Sequence, residues 1–106
     1  MEIYTFLPPH LEGKIEVGPM LFASAVMAAN VVKDIRENIR NLVGGPMGHY
    51  ENLIEEAIER ATKKLMEKAQ KEDYDGIVGF RIVHPSLVEG GAEVVVFGNA
   101  FKLKKE

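Results

Sequence analysis

The pattern of hydrophobic and polar positions predicts two helices of different length. Residues 30–43 place apolar side chains at the i, i+3, i+4, i+7 spacing of an amphipathic helix, with Asn30 as a fitting N-cap. A longer helix is predicted from His49 to Glu72, where one face is apolar and early glutamates and late lysines complement the helix dipole. At about 1.5 Å per residue, the longer helix would cross a whole face of a small sheet.

Shorter apolar runs predict strands, and prolines and glycines interrupt them. The run from Met20 to Ala28 fits a strand that is covered on both faces, although periodicity alone does not separate it from a buried helix. Ile3–Leu7 is a short apolar stretch in which Pro8 and Pro9 stop any regular pairing. The other strand segments are Lys14–Val17 (ending at Gly18-Pro19), Ile77–Val83 and Ala92–Leu103. We therefore predict one α/β (α+β) domain over residues 1–106, with an antiparallel sheet and a second layer of one long and one short helix.

One predicted strand is apolar on both faces. Val94 to Phe97 are hydrophobic at four consecutive positions, and neighbouring strand residues point to opposite faces of a sheet. If both helices lie on one side, the other face lacks intramolecular cover, which soluble monomers rarely tolerate. This pattern predicts a homo-oligomer; the alternative is a three-layer monomer in which the short helix and the N-terminal segment take opposite faces.

Composition narrows the class of protein. The net charge of −3 and the lack of a large basic stretch argue against nucleic-acid binding. The absence of cysteine excludes disulfides, thiolate metal sites and a cysteine nucleophile, and it fits a cytoplasmic protein. The longest uncharged run, residues 17–32, is shorter than the ~20 residues of a membrane span, so we expect no membrane segment.

Two pairs of polar residues are candidates for ligand binding. Asp34 with Arg40, and Tyr50 beside Glu51, could hold a polar ligand or exchange protons. Alternating charges along residues 33–40 also fit an ordinary solvated helix face. Because no catalytic motif is visible, the sequence favours a non-enzymatic protein.

Arg81 is a further candidate because it lies inside an apolar strand. A guanidinium in that setting needs a carboxylate partner or an interface. The candidate partners are Glu51, Asp34 and Asp75.

His49 and His84 are the candidate metal ligands. With His10 they are the only histidines, and they lie in separate segments without a metal-binding spacing. Across subunits they could converge with carboxylates to hold a divalent metal; the alternative is that they are surface or hydrogen-bonded histidines.

Short motifs spread over most of the chain connect it to a known family. They comprise Asn30, Asp34, Ile39, Arg40, Gly44, Gly45, Gly48, Tyr50 and Glu51, then Asp75, Val78, Gly79 and Arg81, and finally Gly98 and Ala100. In these positions the chain resembles the YbjQ-like family of uncharacterised prokaryotic proteins, which is sometimes labelled a heavy-metal-binding domain.

The resemblance implies a dodecin-like subunit assembled as a ring, usually a pentamer. It supplies no established activity. Together with the two-faced strand, it leads us to expect a non-enzymatic, homo-oligomeric binding or scaffold module that could hold a metal or small ligand between subunits. The alternative is a small enzyme with an active site between subunits, around Arg81, Asp34 and His49.

Overall fold

The structure is a computed structural model that describes residues 1–27, 46–85 and 92–105, without the side chains of residue 27 and residues 46–50. The described elements are one helix, α1, and four strands, β1 to β4. A short 3₁₀ turn covers Pro9–Leu11. The elements are β1 Glu2–Ile3, β2 Ile15–Met27, α1 Pro46–Lys71, β3 Gly76–Val83 and β4 Ala92–Leu103. The predicted short helix, residues 30–43, lies outside the described residues.

Helix α1 confirms the predicted long helix and extends it toward the N-terminus. It begins at Pro46, where proline is tolerated because the first-turn N–H groups have no partner within the helix. The buried face follows the predicted periodicity through Leu53, Ala57, Ala61, Leu65 and Ala69. Three of these five are alanines, so the helix backbone lies close to the sheet.

Strand β2 differs from the prediction of two segments broken at Gly18-Pro19. It is one strand of 13 residues that pairs with β4 on both sides of an irregularity between Val17 and Met20. A bulge absorbs the glycine and proline without ending the strand. Proline is tolerated because β2 lies at the edge of the described sheet, where none of the described strands pairs with the other side of its backbone.

The described sheet is mixed, which corrects the expectation of an antiparallel sheet. The strand order is β1-β3-β4-β2; β4 pairs antiparallel with both neighbours, whereas β1 pairs parallel with β3. Strand β1 is only two residues long, although Tyr4 continues to exchange backbone hydrogen bonds with Ile77 and Phe80. The parallel pair is possible because more than seventy residues separate β1 from β3, so no hairpin constrains their direction.

The core lies between α1 and one face of the sheet. Ala23 and Ala25 of β2 and Val94 and Val96 of β4 are buried there with the apolar face of α1. The intervening residues of β4, Val95 and Phe97, point to the opposite face and are only half-buried. The described residues thus form two layers, with α1 covering one side of the sheet.

Candidate functional site

The sheet face opposite α1, which we call the open face, carries a patch of apolar side chains. Cross-strand register places Phe22 opposite Phe97, and Ser24 opposite Val95. Because paired residues share a face, these side chains form adjacent rows. Met20, Phe22 and Val26 are 57%, 60% and 55% exposed, which are large values for apolar residues in a sheet.

Strand β3 extends both rows of the open face. Arg81 lies opposite Phe97, and Val83 lies opposite Val95. The shift in register between Val78 and Arg81 coincides with Gly79, whose φ of 71° few other residues adopt. The bulge therefore sets which β3 side chains, including Arg81, point to the open face.

Arg81 is anchored by backbone oxygens. Its Nη1 donates to the carbonyl oxygen of Thr5 at 2.7 Å and to that of Phe80 at 2.8 Å. Asp75, one of the carboxylates proposed as its partner, instead accepts from the backbone N–H of Leu103 at 2.7 Å. The contacts of Arg81 tie the N-terminal segment to β3, with the guanidinium still exposed at the margin of the open face.

The other predicted ligand-binding residues are not brought to Arg81 within the described part of the chain. Glu51 is exposed on α1, which covers the opposite side of the sheet. Tyr50 lies beside it in α1, but its side chain is outside the description, and Asp34 and Arg40 lie outside the described residues altogether.

Of the two candidate metal ligands, His84 is exposed just beyond β3. Its Nδ1 makes a hydrogen bond with the backbone carbonyl oxygen of Glu93. His49 belongs to the first turns of α1, and its side chain is among those not described.

Glu93 is a buried polar residue that the sequence analysis did not single out. It is 3% exposed at the start of β4, opposite Val26, so its register assigns it to the open-face side of the sheet. A charged residue inside an apolar strand is the signal that identified Arg81 as a candidate. Glu93 directly precedes four apolar strand residues, so the same signal identifies Glu93 from the sequence.

The described residues do not fit a heavy-metal site. Soft metals prefer thiolates, and the sequence contains no cysteine. Among the described side chains, those of residues 1–26, 51–85 and 92–105, no group of three histidines, aspartates or glutamates could hold a metal ion. The Nδ1 atom of His84 is already used by the carbonyl of Glu93.

The outer edge of β2 is partly closed by two lysines of α1. Lys64 Nζ donates to the Ser24 carbonyl oxygen at 2.8 Å, and Lys68 Nζ donates to that of Phe22 at 2.6 Å. Lys68 Nζ also lies 5.1 Å from the centre of the Phe22 ring. An open cavity of about 360 Å³ lies beside these contacts. Such lysines hinder the addition of a further strand at a sheet edge.

The fold and the open face define a class: a small α+β domain with a mixed four-stranded sheet, covered on one face by a long helix. No helix in the described ranges combines the length and the apolar character needed to cross a membrane. The chain belongs to the YbjQ family, whose model matches residues 9–104 and is described as "putative heavy-metal-binding". The resemblance identified in the sequence is thereby confirmed.

Relatives from bacteria and archaea share most of the chain. A UPF0145 protein of Clostridium novyi is 33% identical over 88% of this chain and 91% of its own length. A UPF0145 protein of Clostridium perfringens is 36% identical over 84% of each chain, and one of Methanosarcina acetivorans is 33% identical over 79% of each.

A solved structure shares the fold. The crystal structure of a protein of unknown function from Pediococcus pentosaceus, assigned to the DUF74 family, matches with a TM-score of 0.63. The match covers 98% of both chains at 17% sequence identity, so it supports the fold alone.

Proposed function

We propose that this protein is a non-enzymatic, self-assembling module whose copies cover the open face of one another's sheets. The observation that carries the proposal is the exposure of Met20, Phe22 and Val26 beside half-buried Val95 and Phe97. Covering three large apolar side chains would stabilise an assembly by several kcal/mol at roughly 25 cal/mol per Å². The expected form is the closed ring, usually of five copies, that the family resemblance implies, acting in the cytoplasm.

A second copy is the occupant that best suits the open face. The face combines apolar rows with a cationic margin at Arg81, so an identical chain could contribute both apolar surface and carboxylates. The competing expectation is a three-layer monomer in which the short helix and the N-terminal segment take opposite faces, and the short helix falls outside the described ranges. Direct measurement of the assembly state separates the two.

Any ligand site would, on this proposal, lie between copies. His49, His84 and the carboxylates of a neighbouring copy are the residues that could complete a site for a divalent metal or a small ligand. The missing thiolates count against a soft metal, so a scaffold role or a small-ligand role fits the chain better than heavy-metal binding. The enzymatic alternative gains no specific support, because the observed hydrogen bonds of Arg81 go to backbone carbonyl oxygens.

The proposal predicts that Phe22→Ser weakens assembly. Phe22 is 60% exposed, so the subunit should fold, while the assembly should lose buried apolar area and dissociate at least tenfold more readily, a cost of about 1.4 kcal/mol. Size-exclusion chromatography with light scattering over a dilution series measures the effect, and circular dichroism confirms folding.

Phe6→Ser is the matched control, since Phe6 is 67% exposed but lies in the N-terminal segment, outside the rows of the open face. It should leave assembly unchanged. Equal assembly of both variants and the unaltered chain would remove the open face from the interface.

A further inference from the structure

We propose that neighbouring copies meet end to end, with a stripe of glutamates on α1 of one copy against a cluster of lysines at the far end of the next. The glutamate stripe is Glu51, Glu55 and Glu59, and the lysine cluster is Lys14, Lys102, Lys104 and Lys105. The inference rests on the self-assembly proposed above and specifies a second pair of surfaces that make contact.

The fold creates the lysine cluster from segments distant in sequence. The start of β2 pairs with the end of β4, with Ile15 opposite Leu103, and the Lys104 N–H donates to the Lys14 carbonyl oxygen at 2.9 Å. Asp75 holds the same strand end through the Leu103 N–H at 2.7 Å. Lys14, Lys102 and Lys104 are therefore attached to hydrogen-bonded backbone, and Lys105 directly follows it.

The lysine cluster surrounds a surface groove. Two adjoining open cavities of about 390 and 340 Å³ share Leu103, Lys104 and Lys105 in their walls. Glu16 also contributes a carboxylate to the first cavity, so the lysines outnumber the acids there. Leu103 is 51% exposed between the lysines, which gives the groove an apolar floor that a docking partner would cover.

The glutamate stripe has matching charge and spacing. Its three members are exposed and recur every four residues, so neighbouring Cα atoms are about 6 Å apart along one side of α1. Lys102 lies in β4 and Lys104 directly follows the strand, so their Cα atoms are no more than about 7 Å apart. Like charges at this helical spacing destabilise a helix, and an adjacent row of lysines would relieve that repulsion.

The two surfaces lie toward opposite ends of the subunit. Helix α1 ends at Lys71, and the connection to β3 bonds at once to the end of β4, because the Asp75 N–H donates to the Phe101 carbonyl oxygen at 2.9 Å. Glu55 lies sixteen residues earlier in the helix, about 24 Å away along its axis. Contact between two different ends is heterologous, and such contacts generate closed rings or filaments.

A charge-exchange experiment tests this contact. We expect Lys102→Glu/Lys104→Glu and, separately, Glu55→Lys/Glu59→Lys to raise the dissociation constant of the assembly about tenfold at low salt. The variant that carries all four substitutions restores the complementarity and should return to within about threefold of the unaltered chain. Added salt should also raise the dissociation constant of the unaltered assembly, because salt screens the attraction between the glutamates and the lysines.

Lys71→Glu is the control for the single variant Lys104→Glu, because it makes the same change in net charge with an exposed lysine outside the cluster and about 18 Å from Glu59 along α1. The inference is overturned if Lys71→Glu weakens assembly as much as Lys104→Glu. It is also overturned if the Lys102 and Lys104 double variant assembles normally but loses binding to heparin, which would assign the lysines to a polyanion. If the unaltered chain stays a single subunit, the proposed function itself is refuted. If it assembles, and neither salt nor the charge substitutions change the assembly, only the end-to-end contact is refuted.

Discussion

Gly76 lies at the start of β3, where the backbone of β1 and the ring of Phe101 leave no room for a side chain. A Cβ added there would contact the Phe101 ring and would come within 2.7 Å of the Glu2 carbonyl oxygen. The oxygen belongs to a paired strand and cannot move without disturbing the pairing of β1 with β3. Glycine is therefore required at this position, because the Phe101 ring and the Glu2 carbonyl oxygen leave no space for a Cβ atom.

Gly76→Ala should lower the free energy of unfolding by about 2 kcal/mol, the usual cost of overpacking a tight site. Urea denaturation at a fixed protein concentration measures the change. Gln70→Ala, an exposed position in α1, is the control and should stay within about 0.5 kcal/mol of the unaltered chain. Equal midpoints for the two variants would contradict the close contact at Gly76.

The fold changes the ionisation of Tyr4. Its ring stacks on Phe101 with centroids 6.5 Å apart, and partial burial, then the negative charge of Glu2 and a hydrogen bond to that carboxylate, raise the pKa of the phenol. A raised folded pKa favours the neutral phenol. Its contribution to stability is present below the ordinary tyrosine pKa and is lost as pH rises through the raised value.

Glu2→Gln should lower the pKa of Tyr4 toward the ordinary tyrosine value without reaching it, because the largest cause, burial, remains. Ultraviolet titration of tyrosinate measures the shift, and Tyr4→Phe identifies which transition belongs to this residue. An unchanged transition in Glu2→Gln would show that the carboxylate does not act on the phenol.

At the scale of elements, the sequence was most informative where one periodicity extended over many residues. The stripe of α1 predicted the buried Leu53, Ala57, Ala61, Leu65 and Ala69. Strand β2 was predicted as two pieces because glycine and proline usually end strands, whereas pairing with β4 carries the chain across them through a bulge. The apolar stretch Ile3–Leu7 pairs with β3 only at its start, and Phe6 and Leu7 are exposed beyond the paired segment.

The edge of β2 provides a prediction at the same scale. Lys68→Ala removes the hydrogen bond to the Phe22 carbonyl oxygen and the contact with the Phe22 ring. We expect a loss of about 1 kcal/mol in the free energy of unfolding, together with faster aggregation through the exposed strand edge. Thermal denaturation and light scattering follow the two effects.

Lys63→Ala is the matched control for Lys68, since Lys63 is exposed on the same helix. It should change neither stability nor aggregation by a comparable amount. Aggregation that rises equally in both variants would point to lost net charge rather than to an opened edge.

For the whole molecule, the two-faced character of β4 was the most productive feature of the sequence. Val94 and Val96 are buried beneath α1, while Val95 and Phe97 point to the open face, as the run of four apolar residues implied. The candidate site was less accessible to sequence reasoning. The contacts of Arg81 depend on the bulge at Gly79 and on the path of residues 4–7, and neither feature has a periodic signal.

Charge organisation also emerges only at this scale. Lys14 and Lys104 are ninety residues apart in the sequence, and pairing between the start of β2 and the end of β4 joins them. For that reason, the order of charges along the sequence does not reveal a basic surface there. The folded subunit carries a local excess of lysine at one end and of glutamate along the first half of α1.

Sedimentation equilibrium of the unaltered protein, at micromolar and submicromolar concentrations, tests most directly whether copies cover the open face. We predict a stable assembly whose mass is a whole multiple of the subunit mass, with five copies as the expected number and with little dissociation on dilution. A folded protein that sediments with the mass of one subunit throughout this range would contradict it.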